Sequence, residues 1–160
     1  MSAASPVNST EGGLYPPSAF YFKVVIGTTA SDTDSSFQEV SGISSEMSTV
    51  DVPEGGENRF VHKLPTGIKQ SNLELKRGIA PASSPLVSWC QEVMEGDFIS
   101  AIVPKSISVY LLNENAEPIR AWTFANAFPI KWEVEAFNST KNEVAIEKIV
   151  LSYTYANRIL

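Results

Sequence analysis

The chain has 160 residues, 43% hydrophobic and 19% charged, so it is long and apolar enough to fold as one domain around a core. Its formal net charge of −6 argues against a nucleic-acid binder, which needs a basic surface, and against docking on an anionic membrane. The single cysteine, Cys90, excludes an internal disulfide, and no apolar run approaches the ~20 residues of a membrane-spanning helix.

The N-terminal residues 1–17 are small, polar and rich in Ser, Gly and Pro. We interpret them as an extension that precedes a domain at residues 18–160. The extension has neither the basic leader nor the apolar core of a secretory signal. We therefore expect synthesis in the cytoplasm.

Alternation of apolar and polar residues with a period of two predicts half-buried strands in four segments. These segments are Phe20–Ile26, Asn72–Lys76, Ile107–Leu111 and Lys131–Ala136. A last strand, at about Glu143–Tyr155, is apolar on both faces. We expect it to be covered on both sides and to lie centrally in its sheet.

One segment, Pro85–Glu95, has the periodicity of an amphipathic helix. Ser84 is suited to cap it and Pro85 to occupy its first position, whereas Gly96 is expected to end it in a left-handed conformation. Its apolar stripe consists of Leu86, Trp89, Cys90, Val93 and Met94. One helix among many strands predicts a mainly β domain, an antiparallel β-barrel or sandwich with a flanking α-helix.

The segment Glu39–Val52 is predicted as a long strand with few residues for a core, followed by the loop Pro53–Asn58. As a free edge, such a strand would recruit other strands through its unpaired backbone groups. Pairing with neighbouring subunits to close a larger barrel would remove that edge. The alternative interpretation is the solvated face of an ordinary antiparallel sheet.

Residues that could carry out catalysis are few. His62 is the only histidine and has charged neighbours, and the chain has no Gly-x-Ser-x-Gly motif, so an exposed position is expected. Cys90 lies on the apolar stripe, where a buried thiol is expected. Glu133 and Glu135 share a strand face as paired carboxylates do, but any solvated strand shows this pattern. The chain is therefore predicted not to be an enzyme and to hold no cofactor or metal.

Six segments in chain order, over about Phe20–Tyr155, carry a resemblance to a known family. They are Phe20–Ile26, Phe37–Ile43, Lys63–Gly67, Leu73–Gly78, Phe124–Trp132 and Asn142–Glu147, with a helix around Trp89 where that family has one. Together they resemble the phage tail tube proteins of contractile tails and of extracellular contractile injection systems. The type VI secretion tube is a more distant member of this group. The similarity is greatest to the extracellular particles that deliver toxins.

This resemblance implies a structural subunit with a defined assembly. Six copies would form a ring whose strands join into one continuous inner β-barrel, and rings would stack into a tube. The implied partners are further copies of the chain, a sheath protein, baseplate or spike proteins, tube-terminating proteins and cargo in the lumen. Contraction of the sheath would drive the tube through a target envelope. The implied location is an assembled particle, either a virion tail or a released injection particle.

The resemblance also suggests which residues would serve the tube. Ser44, Glu46 and Ser48 are predicted to face the lumen, with Met47 and Thr49 facing the domain. A Gly-Gly pair flanked by charges and followed by an aromatic residue can adapt to a neighbour and then pack against it. The residues predicted to contact adjacent subunits or rings are Glu54, Gly55, Gly56, Glu57, Arg59 and Phe60.

An alternative function is a monomeric β-sandwich that binds a sugar or a peptide. Trp122, Trp132 and Tyr153 would then form an exposed aromatic platform. Their alternation with polar residues favours packing in the core instead.

Overall fold

The computed structural model describes residues 21–28, 33–56, 59–79, 83–96, 101–135, 140 and 145–160. The extension at 1–17, Phe20 and the predicted strand residues 136 and 143–144 lie outside the described residues. The described elements are β1 (Tyr21–Ile26), β2 (Thr33–Phe37), β3 (Glu39–Ser41), β4 (Ser45–Val52), β5 (His62–Gln70), β6 (Leu73–Gly78), α1 (Pro85–Glu95), β7 (Lys105–Leu112), β8 (Pro118–Val134), β9 (Ile146–Ser152) and β10 (Tyr155–Arg158).

Two antiparallel sheets share the long strand β8. The first sheet has the order β2-β1-β7-β8, and β10 pairs with the other edge of β8. The second sheet has the order β8-β9-β6-β3. Asn126 has a positive φ of 52° and the register shifts between Pro129 and Lys131, so β8 changes direction where it passes from one sheet to the other.

The chain segment predicted as one strand, Glu143–Tyr155, forms two. β9 pairs with the second half of β8 and β10 with its first half, and residues 153–154 separate them. A single strand cannot follow both halves of a bent partner without a break. The predicted central position is confirmed for β9, which lies between β8 and β6 and has both Ile149 and Val150 buried.

Both sheets and the helix contribute to one core, which confirms the mainly β class with a flanking helix. The predicted alternation is confirmed in β6, in β7 from Ile107 to Leu111 and in the second half of β1, where Val24 and Ile26 are buried and Phe22 is half-buried. The largest contributors are Phe37, Phe124, Ile26, Leu73, Leu75, Leu86, Ile107, Ile149 and Leu151.

Helix α1 has the predicted bounds, and the Ser84 hydroxyl accepts a hydrogen bond from the Val87 amide at 3.4 Å. Two details of the prediction are wrong. Met94 is exposed because it lies in the last turn, beyond the core, and Val87 is buried in its place. Gly96 has φ −75°, which is not left-handed. A Cβ there would lie 2.6 Å from the Glu92 carbonyl oxygen, so close approach accounts for this glycine.

The predicted strand Glu39–Val52 is also wrong as a single element, because it breaks between β3 and β4. Gly42 has φ +87°, and a Cβ there would overlap the carbonyl oxygen of Asn72 on the neighbouring segment. The Ser44 amide donates to the Gly42 carbonyl at 2.9 Å, which tightens the bend. Beyond this bend β4 and β5 form a separate two-stranded sheet, the hairpin of residues 45–70.

Candidate assembly surfaces

The hairpin is the most exposed part of the described structure. Among its described residues, Ser48 and Gln70 are half-buried and all others are exposed. An isolated two-stranded hairpin is marginally stable in water, because neither face is covered. Its exposed large hydrophobic residues are Met47, Val50, Val52, Phe60, Val61, Leu64 and Ile68. Apolar groups gathered in this way are typical of a surface that another molecule covers.

The strand register shows how the predicted lumen residues are arranged. Glu46 pairs with Lys69 and Ser48 with Gly67, so both lie on one face of the hairpin, as alternation predicts. Ser44 precedes β4, and its hydroxyl lies 2.8 Å from that of Ser71. The structure therefore brings these polar residues together at the base of the hairpin.

The opposite face of the hairpin carries Met47 and Thr49, which pair with Ile68 and Pro65. The prediction that Met47 faces the domain is wrong for the single chain, in which Met47 is 58% exposed and Ile68 is 66% exposed. The bend at Gly42 is the physical reason, because it separates the hairpin from the sheet that covers the core.

The turn of the hairpin holds the predicted contact residues. Gly55 and Gly56 form the turn, and Gly56 requires glycine because its φ is +93°. Arg59 is exposed, and Glu57 lies outside the described residues. These glycines let the chain reverse without a side chain on the outer side of the turn.

Three other residues of this turn contact one another. The Glu54 carboxylate lies 3.3 Å from His62 Nε2, and the ring of Phe60 meets the His62 ring edge-on with centroids 5.2 Å apart. All three are exposed. This confirms the predicted exposed position of His62, and the arrangement offers an aromatic and an ionic group to a neighbouring molecule.

The second sheet is open at both edges within the described part of the chain. At one end β3 pairs only with β6. The other open edge belongs to residues 128–134 of β8. One edge of this segment pairs with β9, and its second edge is left open because the pairing of β8 with β7 stops at Ala127. Open edges present unpaired N–H and C=O groups that recruit further strands. Two different open edges allow a head-to-tail contact between copies, which can close into a ring.

A buried polar network holds the second sheet against α1. Arg77 Nε donates to the Glu147 carboxylate at 3.2 Å, and Arg77 Nη2 donates to the Ser84 hydroxyl at 2.8 Å. Trp132 Nε1 donates to the other oxygen of Glu147 at 2.7 Å, and the guanidinium lies 4.6 Å from the centre of the Phe37 ring. The network thus joins β6, β9, β8, β2 and the cap of the helix.

Sequence reasoning missed this network, although a signal was present. Arg77 follows Leu73 and Leu75 at the same spacing, so alternation places a charged residue at a core position of β6. A charge at such a position requires a partner, because an unpaired buried charge is very costly. Glu147, on the adjacent strand opposite Arg77, is that partner.

The other residues considered for chemistry or binding have structural roles. Cys90 is fully buried in the core, as predicted. Glu133 and Glu135 form ion pairs with Lys131 at 3.2 Å and Lys76 at 3.4 Å, as on a solvated strand. In the described ranges no three His, Cys, Asp or Glu residues cluster as metal ligands would, and no helix there is long and apolar enough to cross a bilayer.

The three aromatic residues of the proposed sugar-binding platform pack against the core. Trp122, Trp132 and Tyr153 are partly buried there, and Tyr153 meets Phe124 edge-on with ring centroids 4.8 Å apart. Burial raises the pKa of the Tyr153 hydroxyl above its ordinary value. These contacts favour core packing over the alternative binding module.

Several solved structures contain chains with the same fold. A chain in the cryo-EM structure of the anti-feeding prophage (AFP) baseplate is 26% identical, with a TM-score of 0.76 over 91% of this chain and 96% of that chain. A chain in the PVC sheath-tube complex is 24% identical, with a TM-score of 0.74 over 91% of this chain and 93% of that chain. That complex is from an extracellular contractile injection system in the extended state. Hcp1 from Flavobacterium johnsoniae shares the fold at 14% identity, with a TM-score of 0.52 over 87% and 94%.

No curated protein sequence matches this chain. The family described as T4-like virus tail tube protein gp19 matches residues 18–157, which is nearly the whole length. A match of this extent includes both sheets, the hairpin and the helix. The chain belongs to the T4-like virus tail tube protein gp19 family.

Proposed function

We propose that this chain is the inner tube subunit of a contractile injection system, a particle that resembles a phage tail. Copies would join into rings of six, and the rings would stack into a conduit for cargo. Contraction of a surrounding sheath would then drive the tube through a target envelope. The family membership and the similarity to a chain of the AFP baseplate support this proposal.

The observation that carries the proposal is the incomplete β-structure of the single chain. Among the residues that the structure describes, the second sheet has two open edges, and the hairpin leaves apolar residues uncovered on both of its faces. Pairing the β3 edge of one copy with the β8 edge of the next would extend the sheet around a ring. Closure of the ring would remove both open edges.

The predicted site residues keep their roles in this assembly as proposals. Ser44, Glu46 and Ser48 would contribute to the lumen wall where the hairpin joins the sheet. The turn at the end of the hairpin would contact an adjacent subunit or ring, and the exposed ring of Phe60 and the Glu54–His62 pair supply the contacts. The full set proposed for this contact is Glu54, Gly55, Gly56, Glu57, Arg59 and Phe60.

The partners and the location follow from the same proposal. Besides its own copies, the subunit would bind a sheath protein, a baseplate or spike protein, and a tube-terminating cap. Similar chains occur in structures named for an AFP baseplate, a PVC sheath-tube complex and an AFP tube-terminating cap. The tube would act within an assembled particle, either a virion tail or a released injection particle, without enzymatic activity.

Electron microscopy of the purified protein at increasing concentration tests the proposal. We expect rings or stacked tubes roughly 100 Å wide, because each ring surrounds its lumen with domains of ordinary size. Ile68→Arg and Ser48→Arg should leave the circular dichroism of the subunit unchanged and abolish assembly. Ser88→Arg, at an exposed position of α1, is the matched control and should assemble normally. A subunit that stays monomeric at high concentration, or an Ile68→Arg variant that assembles like the wild type, would contradict the proposal.

A further inference from the structure

The outer face of the second sheet is charged, although its inner face forms the core. In β6, Glu74 and Lys76 alternate with the buried Leu73 and Leu75. We call this outer surface the charged face. The ionic residues that compose it are Glu39 on β3, Glu74 and Lys76 on β6, Lys148 on β9, Lys131 and Glu133 on β8, and Glu135 immediately after β8.

Each lysine of the charged face is paired with a glutamate of the same chain. Lys148 Nζ lies 3.5 Å from Glu74, across the β6–β9 pair. Lys131 Nζ lies 3.2 Å from Glu133, two residues along β8. All three lysines are paired in this way, and Glu39, opposite Lys76 in the strand register, is a fourth glutamate on the face.

The third pair, between Lys76 and Glu135, joins β6 to the end of β8 across the width of β9, at 3.4 Å. The hydrogen bond that Lys76 donates to Glu135 and the negative charges of Glu135, Glu39 and Glu74 raise the pKa of Lys76 above its ordinary value. The side chains of Lys76 and Lys148 are only 29% and 20% exposed, so their alkyl stems lie along the sheet. The charged face is therefore polar, with each lysine neutralised by a paired glutamate and one excess negative charge from Glu39.

The position of the core determines which way this face would point in a ring. The first sheet and α1 both lie on the inner side of the second sheet, because their residues share its core. Copies joined edge to edge through the second sheet need more room on the side that carries these additional layers. The side with the first sheet and α1 therefore lies at the larger radius of the ring, and the charged face points towards the ring axis.

We propose that the charged face lines the lumen of the tube and that its paired lysines make it a non-adhesive wall for protein cargo. This inference rests on the proposed function and specifies the surface that cargo meets. Unpaired lysines would hold acidic cargo by local attraction, and unpaired glutamates would hold basic cargo. Within β6 and β9 no large hydrophobic side chain is exposed, whereas β8 exposes Ile130 and Val134, so apolar adhesion is small over the β6–β9 part of the face.

Cysteine labelling of assembled tubes tests the position of the charged face. Glu74→Cys places a thiol on the face, and Ser88→Cys places one on α1 at the opposite side of the core. Each tube is treated with a small maleimide and with a maleimide coupled to a polymer too bulky to enter the lumen. The wild-type chain is the blank, because its own Cys90 is fully buried.

We expect the small reagent to label Glu74→Cys in tubes and the bulky reagent to be excluded, although both label the free subunit. Ser88→Cys should react with both reagents in both states. Labelling of Glu74→Cys in tubes by the bulky reagent would show that the face points outward, and loss of both reactions would show that it is an interface. Either result overturns the inference and leaves the tube function intact. Failure of the wild-type chain to form tubes instead contradicts the proposed function, and the inference with it.

Retention of a fluorescent acidic peptide tests the role of the paired charges. Glu74→Gln/Glu135→Gln removes the partners of Lys148 and Lys76, and tubes of this variant should retain about tenfold more peptide at low salt than wild-type tubes. Glu92→Gln/Glu95→Gln changes the net charge equally on exposed positions of α1 and should behave like the wild type. Equal retention by wild-type tubes and by the Glu74→Gln/Glu135→Gln variant would overturn the claim of a non-adhesive wall.

Discussion

The two sheets with α1, which we call the body, and the hairpin of residues 45–70 use similar residues with opposite results. Leu75 in β6 is fully buried, whereas Leu64 in β5 is 53% exposed, although both stand in antiparallel strands. The difference is the second layer, because the body places a sheet and a helix against its strands and the hairpin has neither. Alternation along a strand therefore produces an apolar face, but this face stabilises the fold only where a second layer buries it.

Ion pairs show the same contrast between the two regions. Arg77 and Glu147 in the body are almost completely buried, and each has a second partner, Ser84 for Arg77 and Trp132 for Glu147. Asp51 and Lys63 in the hairpin are 3.7 Å apart with both side chains mostly in solvent. We expect substitutions in the body to change the stability of the subunit, and those in the hairpin to change its assembly.

The largest effect is expected from Glu147→Ala, which leaves the guanidinium of Arg77 buried and uncompensated. The loss should be about 3–5 kcal/mol in the free energy of unfolding, measured by urea denaturation of the free subunit. The double variant Arg77→Met/Glu147→Leu is the control, because it removes both charges and should recover most of this loss. A Glu147→Ala variant as stable as the wild type would mean that the network contributes nothing to the body.

Truncation of one apolar side chain in each region tests the comparison directly. Leu75→Ala creates a cavity in the core and should cost about 2–5 kcal/mol in the free energy of unfolding. Ile68→Ala removes a side chain that is already in solvent, so the free subunit should change by less than about 0.5 kcal/mol. The same urea titration checks both variants. Equal losses would show that the hairpin is already covered in the free subunit.

The junction between the two regions should tolerate change less well than the turn of the hairpin. Gly42→Ala meets the carbonyl oxygen of Asn72 in addition to a left-handed backbone, so we expect a loss of about 2 kcal/mol or more. Gly56→Ala has an equally left-handed φ but no atom within 4 Å, and should cost about 1 kcal/mol. Thermal unfolding of both variants measures the two losses, and their difference is the cost of the contact with Asn72 beyond that of the backbone strain. A larger loss for Gly56→Ala than for Gly42→Ala would contradict the close approach of Asn72 to Gly42.

The smallest effect is expected from Asp51→Asn in the hairpin. Exposed ion pairs contribute little, so the free energy of unfolding of the free subunit should fall by about 0.5 kcal/mol or less, and the difference should vanish at high salt. Urea titrations at low and high ionic strength provide the measurement. A loss as large as that of Glu147→Ala would show that the hairpin and the body are stabilised in the same way.

Several local features of this protein were predictable from its sequence because each depends on neighbouring residues alone. The bounds of α1, its cap at Ser84 and the buried faces of β1, β6 and β7 follow from periodicity and capping chemistry. The ordered series of family segments indicated the fold of the whole chain, and the family match over residues 18–157 agrees with it.

Tertiary structure alone decided the features that depend on contacts between distant residues. Gly42 breaks a strand because Asn72 approaches it, and β9 and β10 separate because β8 bends between two sheets. Arg77 meets Glu147 across 70 positions in the chain. Alternation along a strand specifies which residues share a face, but it cannot specify whether another layer will cover that face. The local sequence therefore determined the helix and the faces of the strands, and long-range packing determined where two strands break and which elements are buried in the body or left exposed in the hairpin.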